Sequence, residues 1–371
     1  MSPVASPSGP DGTGSSARSG AYPVNCWYVA ATSDEVTDGL LARQVLDRQL
    51  VLYRQRSGAV AALQDRCPHR ALPLSRGQLV DDTVVCAYHG FTFAADGTCL
   101  RVPSQEHVPY DADVRAYPVV EDGPFVWVWP GDPRRVASVS PPKVSELAEP
   151  GWAVFGGVDV VTANYLLLHE NALDRAHFPF VHPDRSHVGY LTQAPPLQVE
   201  VTETTVGFAR AFPPGPLAQW QVEVTGLPAE GTYVQRERGQ FVSPGLHVDV
   251  MDIEAPGVAA DGLCRSVFVR AYTPLSTSAT LVHWQVTRNF AQDSGAVTNR
   301  LRFVHEKSMA EDRPFLEEIQ ALRSAGDMAP DVNAVADAAA VRVHHMVTRM
   351  LREDLAAPRP GRAAGYAAPA G

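Results

Sequence analysis

Two short segments that mix cysteine with histidine constrain this chain more than any other feature. The first has the form Cys67-x-His69, and the second has the form Cys86-x-x-His89. Four ligands of this kind in two tight loops predict a metal site. Zinc fingers of the common kind pair cysteine with cysteine and histidine with histidine in sequence. Each loop here supplies one of each, which favours a [2Fe–2S] cluster in which one iron takes both thiolates and the other both imidazoles over structural zinc.

The composition agrees with a metal-binding protein and excludes several other classes. The 371 residues include 5 cysteines and 12 histidines, which is not the pattern of a secreted disulfide scaffold. The formal net charge of -10, without a basic block, argues against nucleic acid and against an anionic membrane surface as partners. No apolar run approaches the roughly 18 residues of a membrane helix. Cys26, Cys99 and Cys264 lack ligand-like spacing and are predicted to be small buried hydrophobes.

The two ends of the chain are low in complexity. Residues 1–20 are rich in Ser, Pro and Gly, and residues 356–371 are dominated by Ala, Pro and Gly, so both are predicted to be disordered tails. The first segment lacks the basic start and apolar stretch of a secretory signal. We therefore expect a cytoplasmic protein with free thiols.

Between the tails, the two halves differ in pattern. Short β-type runs with Gly and Asp turns fill residues 27–129 and predict a small all-β domain, followed by a Pro-rich linker at 131–150. In the second half, the pattern predicts strands enclosed by helices, and hence an α+β domain with helices on one face of an antiparallel sheet. The predicted segments are a helix at 164–178 ended by Pro179, strands within 197–290 that include 219–225 and 266–272, and helices at 300–322 and 333–351.

A second constellation lies on the first of these helices. Asp174 and His177 are three residues apart and would share a helix face. His182 lies beyond Pro179, so the chain must turn to bring it beside His177. Two histidines and one distant carboxylate make the facial triad of non-heme Fe(II) enzymes. Taken alone, this spacing also fits structural histidines near a helix end.

Together the two constellations resemble the catalytic subunit of Rieske non-heme iron oxygenases, over about residues 25–352. Respiratory-chain Rieske proteins carry a further cysteine in each loop, at the places held here by Leu72 and Tyr88, so the chain resembles the soluble branch. The sequences of residues 25–30, 67–75 and 88–91 are similar to those of the vanillate O-demethylase and dicamba monooxygenase group. The family's usual glycine after Cys-Pro-His-Arg is Ala71 in this chain.

The resemblance implies a fold and a set of cofactors. An all-β Rieske [2Fe–2S] domain at 21–135 would precede a helix-grip (START-like) catalytic domain at 136–355, with a curved antiparallel sheet and long C-terminal helices. The four Cys and His residues of the first constellation would hold the cluster. His177 and His182 would hold a mononuclear Fe(II) with an Asp of a late helix. We expect Asp312, with Glu317 and then Glu311 as less favoured choices, although acidic residues are also common in a helix's first turn.

The resemblance also implies an electron route between subunits. Asp174 would link a Rieske histidine of one subunit to His177 of its neighbour, within a head-to-tail ring that is usually a homotrimer. The chain shows no dinucleotide-binding or four-cysteine ferredoxin motif. Electrons from NAD(P)H are therefore expected through a separate ferredoxin or flavin reductase.

The expected activity is O2-dependent monooxygenation, by hydroxylation or O-demethylation, of an aromatic or similar small molecule. Two alternatives stay open: a natural-product tailoring oxygenase that performs hydroxylation, N-oxidation or oxidative cyclisation, and a Rieske electron carrier without oxygenase activity. Among the other histidines, His169 and His187 are expected at the pocket at most. His344 and His345 are expected to be a pair with one side chain in the core and one on the surface.

Overall fold

The computed structural model describes residues 22–187, 190, 195–255, 263–326 and 331–356. The tail predicted at 1–20 lies outside the described residues, as does the tail predicted at 356–371 except for its first residue. A region of short strands comes first, and a region with one large sheet and long helices follows. This order confirms the predicted α+β class.

Short antiparallel strands make up the first region. They are β1 (Tyr28–Thr32), β2 (Leu41–Val45), β3 (Arg48–Arg54), β4 (Val60–Gln64), β5 (Gln78–Val80), β6 (Thr83–Val85), β7 (Thr92–Phe93), β8 (Cys99–Arg101), β9 (Ala116–Tyr117), β10 (Val119–Asp122) and β11 (Phe125–Val128). The sheet orders are β1-β11-β10, β2-β3-β4-β9 and β5-β6-β7-β8. The last of these sheets carries both Cys/His loops, one before β5 and one between β6 and β7.

A seven-stranded antiparallel sheet forms the centre of the second region as described. Its strands are β12 (Ala153–Val161), β13 (Gln198–Val201), β14 (Val206–Gly215), β15 (Tyr233–Ser243), β16 (Leu246–Glu254), β17 (Leu263–Ser276) and β18 (Ala279–Arg288). The order is β12-β18-β17-β16-β15-β14-β13, so a single crossover places β12 beside the last strand. The helices are α1 (Tyr165–Leu173), α2 (Phe178–Val181), α3 (Gln219–Thr225), α4 (Gly295–Ala325) and α5 (Ala338–Ala356).

The two long helices at the end follow their apolar periodicity. Helix α4 begins where the Ser294 side chain accepts a hydrogen bond from Val297 N and ends at Gly326, whose φ is 79°. It buries Leu301, Val304 and Leu316 on one face. The predicted helices at 300–322 and 333–351 are thereby confirmed, with bounds shifted by a few residues. No helix in the described residues has the length and hydropathy to cross a membrane.

The strand predicted at 219–225 is wrong, because these residues form α3. Trp220, Val222 and Val224 alternate as in a strand, but local caps favour a helix. The Gln221 side chain accepts a hydrogen bond from Ala218 N at 2.9 Å, and Gly226 closes the helix with a φ of 70°. Cap chemistry outweighs a three-residue alternation here.

The predicted linker at 131–150 packs tightly against both regions. It contains two 3-10 turns, Pro133–Ser138 and Ser145–Leu147. The Trp27 indole donates a hydrogen bond to Val139 O at 2.7 Å, and Thr287 Oγ1 donates one to Glu146 O at 3.1 Å. The two regions also share one buried core, in which Tyr28 of β1 and Tyr272 of β17 both take part. The two candidate metal sites therefore belong to one packed body.

Candidate metal centres

The two Cys/His loops have the same backbone frame. In the first, Cys67 N donates to Leu72 O and Ala71 N donates to Cys67 O, both at 2.9 Å. In the second, Cys86 N donates to Phe91 O at 2.8 Å and Gly90 N donates to Cys86 O at 3.0 Å. Each cysteine is thus bonded to the residues four and five positions later, which closes a tight turn around the histidine.

The four side chains of these loops face one another. Cys67 and Cys86 are buried, whereas His69 and His89 are exposed, with their Nδ1 atoms 3.1 Å apart. Burial, together with the neighbouring Cys86 thiol, raises the pKa of Cys67 to about 11, so the thiol stays protonated until a metal displaces the proton. Two inner sulfurs and two outer nitrogens fit a cluster with one thiolate-bound iron and one imidazole-bound iron.

The residue four positions after each cysteine has a left-handed backbone. Gly90 has a φ of 71°, and a Cβ there would lie 2.9 Å from Pro103 Cγ. Ala71 has a φ of 60°. Such a conformation costs a residue with a side chain about 1–2 kcal/mol. Glycine would avoid this cost at position 71.

We expect Ala71→Gly to stabilise the protein by about 0.5–1 kcal/mol, because glycine relieves the left-handed backbone but costs some unfolded-state entropy. Chemical denaturation of the cluster-loaded protein measures the change. Ala87→Gly is the matched control, since Ala87 lies in the other loop without a positive φ. The control should lose stability by a similar amount, and a loss in both variants would contradict the explanation.

The helix predicted at 164–178 is interrupted, which changes the placement of Asp174. Helix α1 ends at Leu173, and Asp174 is extended with φ and ψ of -104° and 110°. Helix α2 then starts after His177, with Pro179 in its first turn. Proline is tolerated there because a first-turn N–H has no intrahelical acceptor. The expectation that Asp174 and His177 share a helix face is therefore wrong, and Pro179 starts a helix rather than ending one.

The interruption brings His177 and His182 together opposite Asp312. One ligand atom from each of these three residues lies within 4.8 Å of the other two. Asp312 Oδ1 is 3.0 Å from His182 Nε2 and 3.5 Å from His177 Nε2. Asp312 is in the middle of α4, so the favourable charge at a helix start does not account for it. The donor set fits a three-ligand Fe(II) site with open positions.

The far nitrogen of each imidazole is already occupied by the protein. His177 Nδ1 lies 2.7 Å from Asp174 O, and His182 Nδ1 lies 2.8 Å from Glu311 Oε2. Donation from each Nδ1 leaves both Nε2 lone pairs directed at the metal position. Burial lowers the pKa of His177, which favours the neutral imidazole that a metal needs. The His182 Nε2 atom is buried, and it faces Asp312 Oδ1 at 3.0 Å, as expected of two ligand atoms that converge on one ion.

The two other acidic residues considered as ligands have different contacts. Glu317 accepts a hydrogen bond from Thr162 N at 3.1 Å. Glu311 binds the outer side of His182 and pairs with Arg185. Adjacent helical residues point about 100° apart, so Glu311 and Asp312 can flank one imidazole but do not converge on one ion. Sequence analysis did not predict that Glu311 and Arg185 orient His182. The position of Glu311 directly before Asp312 was a signal that could have indicated this role for Glu311.

A cavity of about 150 Å³ opens beside His182 and Asp312. A cavity of about this volume in another protein binds benzene. Its apolar lining comes from both the sheet and the helices: Leu168, Phe178, Trp220, Met251, Phe268, Tyr272, Val304, Met309 and Leu316. Most of these positions carry no motif, which is why sequence analysis did not find them.

The remaining histidines divide into different environments. His187 lines the cavity, with its ring stacked 3.8 Å from that of Phe212. His169 is fully buried, with its Nε2 3.1 Å from Pro244 O. His344 pairs with Glu170 at 2.6 Å and is 44 % exposed in its side chain, and His345 is exposed. We expected one of His344 and His345 in the core, and this expectation is wrong because neither side chain is buried.

Comparison with known proteins agrees with this geometry. Residues 26–118 match the Rieske [2Fe-2S] domain, and residues 161–353 match the vanillate O-demethylase oxygenase C-terminal domain. The vanillate O-demethylase oxygenase subunit of Pseudomonas sp. (strain HR199 / DSM 7063) is 32% identical over 81% of this chain and 86% of its own. The chain belongs to the vanillate O-demethylase family of Rieske non-heme iron oxygenases.

Two further matches extend over almost the whole fold. A putative toluene-4-sulfonate monooxygenase system iron-sulfur subunit of Comamonas testosteroni is 30% identical over 89% of this chain and 97% of its own. The crystal structure of dicamba monooxygenase bound to 3,6-dichlorosalicylic acid superposes with a TM-score of 0.84 and 28% identity, over 91% of this chain and 99% of that one. The present chain, as a Rieske oxygenase component, uses a [2Fe–2S] cluster and a mononuclear iron, with electrons from a separate reductase.

Proposed function

We propose that this chain monooxygenates a one-ring aromatic substrate, with O-demethylation of an aryl methyl ether as the leading reaction. The observation that carries the proposal is the convergence of His177, His182 and Asp312 at the edge of a benzene-sized cavity. A Rieske electron carrier without oxygenase activity would need neither the triad nor the cavity. Vanillate and dicamba O-demethylases among the relatives support the choice of reaction.

In this proposal, Cys67, His69, Cys86 and His89 hold the cluster and His177, His182 and Asp312 hold the iron. When bound, the cluster would supply electrons singly and the iron would supply the chemistry for O2 activation next to the substrate. Asp174 O and Glu311 keep the two imidazoles in one tautomer and orientation. Apolar side chains such as Phe178 and Phe268 exclude water from the cavity and position the ring.

The overall reaction balances for an aryl methyl ether. ArOCH3, O2, two electrons and two protons give ArOH, formaldehyde and water. The methyl C–H bond is replaced by C–OH, and the resulting hemiacetal loses formaldehyde as its C–O bond breaks. The protein then has two tasks, which are to place the methyl group at the iron and to deliver two electrons in sequence.

We propose a head-to-tail homotrimer as the working assembly. The ring contacts of His69 in the described chain are to His89 and Phe91, and the Asp174 carboxylate accepts a hydrogen bond from Ala176 N at 2.8 Å. The exposed His69 and His89 edges are therefore available to a neighbouring subunit's Asp174. The proposal also divides the chain into a Rieske domain at 21–135 and a catalytic domain at 136–355. Electrons would come from NAD(P)H through a ferredoxin or flavin reductase, and the protein would be cytoplasmic.

The function is tested on anaerobically purified protein. We expect one iron per chain beyond the two of the cluster, and O2 uptake that depends on both a reductase and a methoxylated aromatic compound, with formaldehyde formed in equal amount. Protein that holds only cluster iron under these conditions would exclude the oxygenase. Hydroxylated product without formaldehyde would keep the oxygenase and replace O-demethylation by C-hydroxylation.

A further inference from the structure

A buried carboxylate lies at the base of the first Cys/His loop. Asp65, two residues before Cys67, is 6% exposed and is the only buried acidic residue among the described residues of the first region. Its Oδ1 accepts a hydrogen bond from Ser75 N at 2.6 Å, and its Oδ2 accepts one from Ser75 Oγ at 2.6 Å. Both bonds span the loop, so Asp65 and Ser75 close the segment that carries Cys67 and His69.

The geometry of these bonds indicates that Asp65 carries a negative charge. Both of its oxygens act as acceptors, which is the pattern of an ionised carboxylate, since a protonated one would donate from one oxygen. The distance of 2.6 Å between the Ser75 hydroxyl and the carboxylate oxygen is typical of a charge-assisted hydrogen bond.

No cation compensates this charge directly. Within the described residues, Asp65 forms no ion pair with a Lys, Arg or His side chain, and both of its side-chain partners belong to Ser75. The arginines nearest to it in sequence have exposed side chains, whose charges are screened by water; they are Arg66, Arg70 and Arg76. The Asp65 charge is therefore offset by hydrogen bonds alone.

The second Cys/His loop is closed without a charged side chain. The bonds that join Cys86 to Gly90 and Phe91 are between backbone atoms, and Thr92 Oγ1 donates a hydrogen bond to Gly90 O at 3.1 Å. The other acidic residues of the first region, as far as it is described, are exposed or half-buried. Asp65 is thus the one negative charge shielded from water beside the described loops.

The carboxylate is close enough to the cluster position to act on it through space. A chain advances at most about 3.6 Å per residue, so the Cα atoms of Asp65 and Cys67 are within about 7 Å of each other. Burial removes much of the water that would otherwise screen the charge. Over a distance of about 10 Å inside a protein, one unit charge changes an equilibrium that moves another unit charge by about tenfold.

We propose that Asp65 lowers the reduction potential of the cluster held by the two loops. Reduction adds one electron, and a fixed negative charge nearby makes this addition less favourable. The reduced cluster then gives up its electron more readily to the mononuclear iron. The inference rests on the part of the proposed function that assigns the cluster to the two loops, and it does not depend on the substrate.

Ser75 has a different role in the same contact. Its N–H and O–H groups point their positive ends at the carboxylate and partly offset its charge. Removing the hydroxyl should leave more of the negative charge acting on the cluster, whereas neutralising Asp65 should remove that charge. Both substitutions weaken the closure of the loop, but they change the potential in opposite directions. Their comparison separates an electrostatic role of Asp65 from a structural one.

The test is an anaerobic redox titration of the holoprotein, with visible absorbance or EPR reporting the state of the cluster. Asp65→Asn removes the charge, and its amide can still accept from Ser75 N and donate to Ser75 Oγ. We expect it to raise the ratio of reduced to oxidised cluster about tenfold at a fixed ambient potential. For a one-electron couple, this corresponds to a potential about 59 mV higher.

Three further variants serve as comparisons. Asp65→Glu keeps the charge and should shift the potential by less than Asp65→Asn. Ser75→Ala should not raise the potential. Asp96→Asn is the matched control and should leave the potential unchanged, because Asp96 is exposed in the turn between β7 and β8, where its Oδ1 accepts a hydrogen bond from Thr98 N.

Three results would overturn the proposal. They are an unchanged or lower potential in Asp65→Asn, an equal rise in Ser75→Ala, and loss of the cluster in every neutral variant, which would make Asp65 a structural residue of the loop. Asp65→Thr is the second neutral variant if Asp65→Asn does not bind the cluster. A wild-type protein without Rieske absorbance would refute the cluster assignment itself. A wild-type cluster whose potential does not depend on Asp65 would refute only this inference.

Discussion

Replacing Asp312 with alanine is expected to remove the mononuclear iron and leave the [2Fe–2S] cluster intact. Asp312 Oδ1 is the only carboxylate oxygen that faces both His177 Nε2 and His182 Nε2 in the described residues. Two neutral imidazoles alone bind Fe(II) weakly, because the charged ligand supplies much of the attraction for a divalent ion. Activity should fall by about a thousandfold or more, since groups that act as a unit lose nearly all of the rate together.

Iron and acid-labile sulfide analysis distinguishes the two sites, and the absorbance of the cluster reports on the first region separately. Glu317→Ala is the control, because Glu317 is on the same helix but bonds to Thr162 N. Glu311→Gln should be intermediate, since it loosens His182 without removing a ligand. If Asp312→Ala keeps its full iron content, the third ligand is another carboxylate and the proposed triad is wrong.

The cluster loops could be predicted from sequence because their chemistry is local. Cys67 and His69 are on one turn, and Cys86 and His89 are on another, so spacing alone nearly determines which atoms can meet. The long helices were also predictable from apolar periodicity over many residues. The short elements were not, because α3 depends on the caps at Ala218 and Gly226 rather than on its alternating pattern.

The catalytic half was predictable only in part, for a physical reason. The spacing of His177 and His182 suggested a site, but the helix breaks after Leu173, in a segment where Arg175 is bound by Asp249 of a distant strand. The part of the cavity wall formed by Arg175, Asp249 and Arg270 joins side chains of a helix junction and of two strands, β16 and β17. No local pattern indicates that such residues will be neighbours, so this part of the cavity could not be predicted from the sequence.

Asp174→Asn is expected to keep both metal sites and to reduce turnover by about 10- to 100-fold. The backbone carbonyl of Asp174 accepts the His177 hydrogen bond, and an asparagine oxygen can still accept from Ala176 N. The iron site should therefore be unchanged. The variant loses the negative charge, which in the proposed trimer would receive the N–H of a neighbouring subunit's Rieske histidine and hold it near His177.

A single-turnover experiment separates this role from a structural one. Reduced protein with substrate and O2 should reoxidise its cluster slowly in Asp174→Asn, at normal iron content and normal substrate affinity. Asp184→Asn is the control, since Asp184 is an exposed acid near the same turn whose partner is Lys307. A loss of iron in Asp174→Asn would make Asp174 a structural residue, and full activity would require electrons to reach His177 by another route. Slow reoxidation with both metals present is the result that only an electron bridge between subunits predicts.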